Sequence, residues 1–125
     1  MSPLRILVVD DELSNAEVLA LILHEEGFQV TVAGDGRQAL ERIDEAAPEL
    51  LITDYMMPGM NGMELARAVR QLPQYRNVPV LLMSGAAAST LSTHAKSFDA
   101  FLRKPFDIEA LLKAVELLLA RPPAQ

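Results

Sequence analysis

Short apolar runs alternate along the whole chain with segments whose apolar residues recur at helical spacing. Nearly continuous apolar runs at 4–9, 50–53 and 78–83 predict strands that are buried on both faces. The alternating run at 28–32 and the short run at 100–102 instead predict strands at the edges of a sheet. Apolar residues at helical spacing after each strand predict five helices, which begin near positions 14, 35, 61, 86 and 107.

Local signals mark several helix ends. The pair Ser14 and Glu17 predicts a capping box at the start of the first helix, and Gly27 is a suitable residue just after its end. A single second helix is expected to open at Asp35 and Gly36 and to end before Pro48. Asp107 is expected to cap the last helix. The helix over 86–97 has a weaker pattern, because its Ser and Thr side chains compete for helical hydrogen bonds.

Strands that alternate with helices are typical of an α/β fold in which helices cover both faces of a parallel sheet. Right-handed crossovers, with the second and fifth strands at the edges, give the strand order 2-1-3-4-5. We therefore predict a single doubly wound domain over 1–125, with a crevice between the first and third strands, where the winding reverses.

Composition narrows the class of protein. Half of the residues are hydrophobic and 22% are charged, which is an ordinary balance for a globular domain. No apolar run is long enough to cross a bilayer, and the first residues lack the basic and apolar regions of a signal peptide. The net charge of −6, without a cluster of Lys and Arg, disfavours direct binding to nucleic acid. Together with the absence of cysteine, these features predict a cytoplasmic protein without membrane insertion.

Three carboxylates are expected at the end of the sheet where the carboxyl ends of the strands lie. Asp10 and Asp11 follow the first strand, and Asp54 follows the third. Because the carboxyl ends of parallel strands meet at one edge, these side chains would lie together and repel one another. A hard divalent cation relieves this repulsion, and Mg²⁺ fits because it prefers oxygen ligands, with Mn²⁺ as an alternative. No His or Cys falls near the predicted site, which argues against zinc.

Two further polar residues are expected at the same carboxyl ends of the strands. Ser84 ends the fourth strand, and Lys104 follows the fifth. A lysine can hold a phosphoryl group as a point charge, and a hydroxyl can donate a hydrogen bond to a phosphoryl oxygen. With a metal ion they would stabilise in-line phosphoryl transfer to Asp54 as the nucleophile. The pattern therefore predicts a site that accepts a phosphoryl group.

Four segments make the chain resemble the receiver domains of two-component response regulators, including the single-domain chemotaxis regulators. The segments are VVDDE at 8–12, DYMMPGMNG at 54–62, MSG at 83–85 and FLRKPF at 101–106. All four occur in the family's order and spacing, and the resemblance covers essentially the whole chain. It implies a flavodoxin-like (βα)5 fold and a signalling switch that catalyses only its own phosphorylation and dephosphorylation.

The resemblance also implies roles for individual residues. A histidine of a sensor kinase or of a phosphotransfer protein would donate the phosphoryl group to Asp54. Mg²⁺ would be bound by Asp11, Asp54 and the backbone carbonyl of Met56, with Asp10 helping directly or through water. Ser84 and Lys104 would contact the phosphoryl group, the peptide bond between Lys104 and Pro105 would be cis, and Phe101 would fill the space that the moving hydroxyl leaves. The surface of the fourth predicted helix, fifth strand and last helix would then change and bind an unidentified output protein.

Some positions depart from the family or have plainer interpretations. Met56 and Ala86 stand two residues after the acceptor and the switch hydroxyl, and both are apolar. Since neither can orient an attacking water, we predict slow loss of phosphate. The pair at 97–98, Ser-Phe, replaces the Gly-Ala common in the family and leaves the end of the helix over 86–97 uncertain. Thr53 and Tyr55 are interpreted as structural.

Three other functions compete with the signalling switch. An enzyme of the haloacid dehalogenase type needs Asp-x-Asp after its first strand, whereas Asp10 and Asp11 are adjacent. A receiver-like module that binds partners without phosphorylation is disfavoured by the complete acidic site and Lys104. A flavin-binding protein of this topology is disfavoured, because no phosphate loop rich in Ser, Thr and Gly follows the first strand. The sequence leaves open which kinase and which output protein the chain uses, and whether it is a monomer or a dimer. It also leaves open whether the chain stands alone or is the N-terminal part of a longer protein.

Overall fold

Five parallel strands form one sheet in the order β2-β1-β3-β4-β5, as predicted. The structure is a computed structural model, and it describes residues 3–85 and 98–120. The strands are β1 (Arg5–Val9), β2 (Gln29–Ala33), β3 (Leu50–Asp54), β4 (Val80–Ser84) and β5 (Ala100–Arg103).

Helices cover both faces of the sheet, which confirms the doubly wound α/β fold. The helix predicted over 86–97 lies outside the described residues. Within 3–85 and 98–120, no helix is long and apolar enough to cross a membrane. The helices are α1 (Leu13–Glu25), α2 (Gly36–Glu41), α3 (Ile43–Ala46), α4 (Gly62–Gln71) and α5 (Ile108–Leu119), with a 3₁₀ turn at Pro73–Tyr75.

The burial of each strand follows its hydrophobic pattern. All residues of β3 and β4 are buried, whereas the edge strands β2 and β5 are partly exposed. Neighbouring residues of β1 enter different cores: Leu7 packs with residues of α2, α3 and α4, and Val8 packs with residues of α1 and α5. The alternation of side chains along a strand therefore splits the interior into two apolar layers.

The predicted capping box at the start of α1 is wrong. The helix already begins at Leu13, so Ser14 lies inside its first turn, and the N-cap residue Glu12 makes no side-chain capping bond. A capping box instead begins α4, where the side chain of Asn61 accepts from the N–H of Glu64 and the Glu64 side chain accepts from the N–H of Asn61. Gly27, with φ of +96°, and the capping residue Asp107 are as predicted.

The prediction of one continuous second helix is also wrong, because the segment divides into α2 and α3 at Arg42. The backbone of Arg42 leaves the helical region at φ −98° and ψ 2°. Its guanidinium donates to the carbonyl of Val32 in β2 at 2.5 Å. This contact with a neighbouring strand, which no local pattern reveals, accompanies the break.

Candidate functional site

Three aspartates meet at the carboxyl ends of the neighbouring strands β1 and β3. Asp54 is the last residue of β3, and Asp10 directly follows β1. Asp10 is fully buried and Asp54 is 8% exposed, whereas Asp11 is exposed. One carboxylate oxygen from each of the three residues lies within 4.8 Å of the other two. The structure thus brings together the acidic residues that the sequence placed at this edge.

Lys104 reaches this acidic cluster from the end of β5. Its Nζ lies 3.2 Å from Oδ2 of Asp10 and 3.3 Å from Oδ1 of Asp54. The backbone N–H of Lys104 donates to the carbonyl of Ser84 at 2.7 Å, which places the end of β4 next to the lysine. The side chain of Ser84 is buried, and the peptide bond between Lys104 and Pro105 is cis. Strands β1, β3, β4 and β5 therefore each supply one part of a single site.

Backbone hydrogen bonds fix Asp10 in this position. Its N–H donates to the carbonyl of Ala33 at the end of β2, at 3.2 Å. Its Oδ1 accepts from the N–H of Glu12 at 3.0 Å, while Oδ2 faces Lys104. Both oxygens of this buried carboxylate thus have a donor, which offsets part of the cost of burying its charge.

The charges of the site are not balanced. Burial raises the pKa of Asp54, and the charges of Asp10 and Asp11 raise it further, although the ammonium of Lys104 acts in the opposite direction. Burial alone would lower the pKa of Lys104, but the carboxylates of Asp54 and Asp10 outweigh it and raise that pKa. Lys104 therefore remains protonated while the negative charge of the cluster exceeds its single positive charge.

This donor set fits a hard divalent cation. Three carboxylates offer oxygen ligands close to one another, and the cluster contains neither His nor Cys. Burial is the main cause of the raised pKa of Asp54, and a second positive charge would offset both this burial and the repulsion from Asp10 and Asp11. The geometry and the electrostatics therefore both agree with Mg²⁺ as the expected ion.

The loop after Asp54 is held against α4. The N–H of Tyr55 donates to the carbonyl of Met83 at 2.8 Å, and the N–H of Gly62 donates to the carbonyl of Tyr55 at 2.9 Å. A Cβ atom at Gly62 would lie only 2.3 Å from the carbonyl oxygen of Asp54, so the start of α4 requires glycine here. Gly59, in the same loop, has a φ of +78°, a conformation that favours glycine.

Two further predicted site residues differ in burial. The side chain of Met56 is 68% exposed, and the metal-binding role of its backbone carbonyl stays a prediction. Phe101 is half-buried in β5 and packs against the buried residues Met63 and Leu82, in a small cluster that also includes Tyr55. Its predicted switching role stays a prediction.

Phe98 takes part in this aromatic cluster, which the sequence pattern did not predict. The ring centroids of Phe98 and Phe101 lie 6.3 Å apart, and the rings are tilted by 51°. In the sequence, Phe98 stands out only as a departure from the family pattern. Its large apolar side chain three residues before another phenylalanine was the available signal.

Comparisons with known proteins agree with the resemblance. The family model of the response regulator receiver domain matches residues 6–116. The chain is similar to the transcriptional regulatory protein TrcR of Mycobacterium tuberculosis, with 33% identity over 120 residues, covering 96% of this chain and 47% of that protein. The DNA-binding response regulator MtrA of Mycobacterium leprae is 38% identical over 120 residues, covering 94% of this chain and 52% of that protein. The chain thus spans about half the length of the curated relatives it matches.

Solved structures of similar proteins have the same fold. The chemotaxis protein CheY4 of Vibrio cholerae has a TM-score of 0.88 and 32% identity, covering 93% of this chain and 98% of that chain. The response regulator TrrA of Thermotoga maritima, solved in complex with Mg²⁺-BeF, has a TM-score of 0.82 and 30% identity, covering 92% of this chain and 98% of that chain.

Proposed function

We propose that this chain, which belongs to the family of response regulator receiver domains, accepts a phosphoryl group on Asp54. The observation that carries the proposal is the position of Lys104, whose Nζ lies 3.2 Å from Asp10 and 3.3 Å from Asp54. Asp54 therefore lies at the carboxyl end of β3, beside the positive charge of Lys104 and close to the carboxylates of Asp10 and Asp11.

In the proposed reaction, a carboxylate oxygen of Asp54 attacks the phosphorus of a phosphohistidine on the donor protein. A new O–P bond forms while the P–N bond breaks, and its electron pair leaves with the imidazole nitrogen. Protonated Lys104 holds an oxygen of the transferring phosphoryl group, and the hydroxyl of Ser84 donates to another. The protein therefore contributes positioning and positive charge to a transfer that ends in an aspartyl phosphate.

Asp10, Asp11, Asp54 and the backbone carbonyl of Met56 would hold Mg²⁺, in agreement with the acidic cluster. Bound Mg²⁺ supplies positive charge that offsets the negative charge of the phosphoryl oxygens. The similar protein TrrA was solved with Mg²⁺-BeF, which supports the choice of ion, and Mn²⁺ is the alternative.

The output of the switch would be a change in the surface of β5 and α5, together with the helix predicted over 86–97, which lies outside the described residues. Ser84 moves toward the phosphoryl group in this proposal, and Phe101 turns inward from its half-buried position. The partners are a sensor histidine kinase or phosphotransfer protein and an output protein. With a net charge of −6, the chain itself would not bind DNA directly. A cytoplasmic location and a receiver domain over 1–125 belong to the same proposal.

The phosphodonor would dock on an apolar groove between α1 and the start of α5. This groove has a volume of about 600 Å³, and Asp10 and Lys104 line it together with apolar residues of both helices. Val18 and Ile108 line it too, and their side chains are 56% and 54% exposed. Because the groove shares Asp10 and Lys104 with the acidic site, a donor protein seated in it would bring its phosphohistidine close to Asp54.

The groove can be tested by comparing a small donor with protein donors. Val18→Lys should leave labelling by acetyl phosphate unchanged, since the residue is exposed and outside the acidic cluster. The same variant should slow transfer from the purified, phosphorylated sensor kinases that label the wild type. Equal transfer rates from those kinases to variant and wild type would place the donor elsewhere.

Phosphoryl acceptance is tested directly by the intact mass of the protein after incubation with acetyl phosphate and Mg²⁺. We expect a gain of one phosphoryl group by the wild type, no gain by Asp54→Asn, and no gain when EDTA removes the metal. Absence of a gain in the wild type with each of acetyl phosphate and phosphoramidate, although Mg²⁺ binds, would favour a module that binds partners without phosphorylation.

A further inference from the structure

A buried hydroxyl lies directly behind the acceptor. Thr53 is fully buried in β3, and its Oγ1 donates to the backbone carbonyl of Asp54 at 3.0 Å. Thr53 also forms the last register pair between β3 and β1, with Val9. The Thr53 hydroxyl is therefore hydrogen-bonded to the backbone of Asp54 at the position where the pairing of β1 and β3 ends.

The peptide group between Asp54 and Tyr55 is held at both of its ends. Its N–H, which belongs to Tyr55, donates to the carbonyl of Met83 at 2.8 Å, and its carbonyl accepts from Thr53. Gly62 packs against the same carbonyl, since a Cβ atom there would lie 2.3 Å from the oxygen. A peptide group with hydrogen bonds at both ends and a backbone neighbour in contact has little freedom to rotate.

The orientation of this peptide group sets the geometry of the site. It constrains ψ of Asp54 and φ of Tyr55, and so it sets the direction in which the chain leaves the acceptor toward Met56, whose carbonyl is a proposed metal ligand. We infer that Thr53 is a positioning residue, whose hydroxyl aligns Asp54 and the loop after it for metal binding and phosphoryl acceptance. Its effect on phosphorylation rests on the proposed function of Asp54, whereas its effect on Mg²⁺ binding can be measured without phosphorylation.

A valine would fill nearly the same volume at this position without the hydroxyl, so the pair Thr53→Val and Thr53→Ser separates packing from hydrogen bonding. The experiment measures two quantities for wild type and both variants: the dissociation constant of Mg²⁺ by calorimetry and the rate of labelling by acetyl phosphate at saturating Mg²⁺. Thermal unfolding without metal is recorded alongside, as the readout that a purely structural residue would change.

We expect Thr53→Val to weaken Mg²⁺ binding and slow labelling, each by about tenfold, since misplacement of reacting groups by 1 Å can cost about a hundredfold. Thr53→Ser should stay within about twofold of the wild type in both, even if its melting temperature falls, because it retains the donor. If Thr53→Val does not fold, Thr53→Ala takes its place as the variant without a hydroxyl.

Equal Mg²⁺ affinity and equal labelling rate in the wild type and the variant without the hydroxyl would overturn the inference, whatever happens to the melting temperature. Failure of the proposed function looks different, because the wild type itself would bind Mg²⁺ without becoming labelled. In that case the ratio of the Mg²⁺ dissociation constants still decides whether Thr53 positions the site.

Discussion

The charged residues form ion pairs at the amino ends of the strands and an acid-rich cluster at the carboxyl ends. At the amino ends of the strands, Arg70 pairs with Asp99, which also accepts from the N–H of Val80 at 2.8 Å. Arg5 and Glu49 form a second pair there, at 3.6 Å. At the carboxyl ends, Lys104 lies against both Asp10 and Asp54, and Asp11 adds a third carboxylate.

This difference separates structural charges from functional ones. A partly buried pair with extra backbone hydrogen bonds balances its own charge and ties two segments together. A buried cluster with more acids than bases retains a cost: burial first, and then the neighbouring carboxylates, raise the pKa of Asp54, and a bound cation or protonation relieves this cost. A site that keeps such a cost is a candidate for binding and chemistry.

The close backbone contact at the carboxyl ends should give the largest effect. Gly62→Ala places a Cβ atom 2.3 Å from the Asp54 carbonyl oxygen, so the start of α4 must move. We expect the free energy of unfolding in urea to fall by about 3 kcal/mol, at the upper end of overpacking costs. Gly85→Ala is the control, because nothing lies within 4 Å of the position that its added methyl group would take. If both variants lose the same free energy of unfolding, the close contact between Gly62 and the Asp54 carbonyl is not the cause of the loss.

Breaking the charge balance at the amino ends should come next. Asp99→Asn keeps an oxygen for the N–H of Val80 but removes the charge that faces Arg70. The pair is neither fully exposed nor fully buried, so we expect a loss of about 2 kcal/mol in urea unfolding, between the values of those two classes. Glu49→Gln, in the more exposed pair, should cost less than half as much. Equal losses of unfolding free energy in Asp99→Asn and Glu49→Gln would contradict the expectation that the more buried ion pair contributes more.

Met56 tests how the carboxyl-end site keeps its phosphoryl group. Met56→Asn introduces an amide that can orient water at a position that is 68% exposed and two residues after the acceptor. We expect phosphate loss to become about tenfold faster, equivalent to about 1.4 kcal/mol of activation free energy. The decay of the phosphorylated mass gives the rate, with Met56→Leu as the apolar control. An unchanged lifetime in Met56→Asn would refute the prediction.

The smallest effect should have the opposite sign. Asp54→Asn removes one of the excess charges, so without Mg²⁺ we expect the free energy of unfolding to rise by about 1 kcal/mol at pH 7, a modest gain for neutralising a buried acid. The folded-state pKa of Asp54 is raised, so its protonation favours the folded protein. The advantage of the variant should therefore shrink as the pH falls through that pKa. An advantage that is independent of pH would show that charge is not its cause.

Much of the fold could be predicted because its causes are local. Continuous apolar runs identified the central strands β3 and β4, and the alternating pattern of β2 placed it at an edge. Two errors concern helix ends. The break between α2 and α3 accompanies a contact of Arg42 with a carbonyl of β2, which no local pattern reveals. The start of α1 was misplaced because the helix begins at Leu13, so that Ser14 lies inside its first turn.

The sequence by itself determined which residues gather at the carboxyl ends, because strand order and strand ends follow from hydrophobic pattern and chain handedness. Asp10, Asp54 and Lys104 were identified in this way. The tertiary structure decided how they meet: Lys104 contacts a carboxylate 94 positions away, and the Asp54 carbonyl is fixed between Thr53 and Gly62. These contacts depend on distances of a few ångströms between separate strands and helices, which only the packing of the whole domain sets.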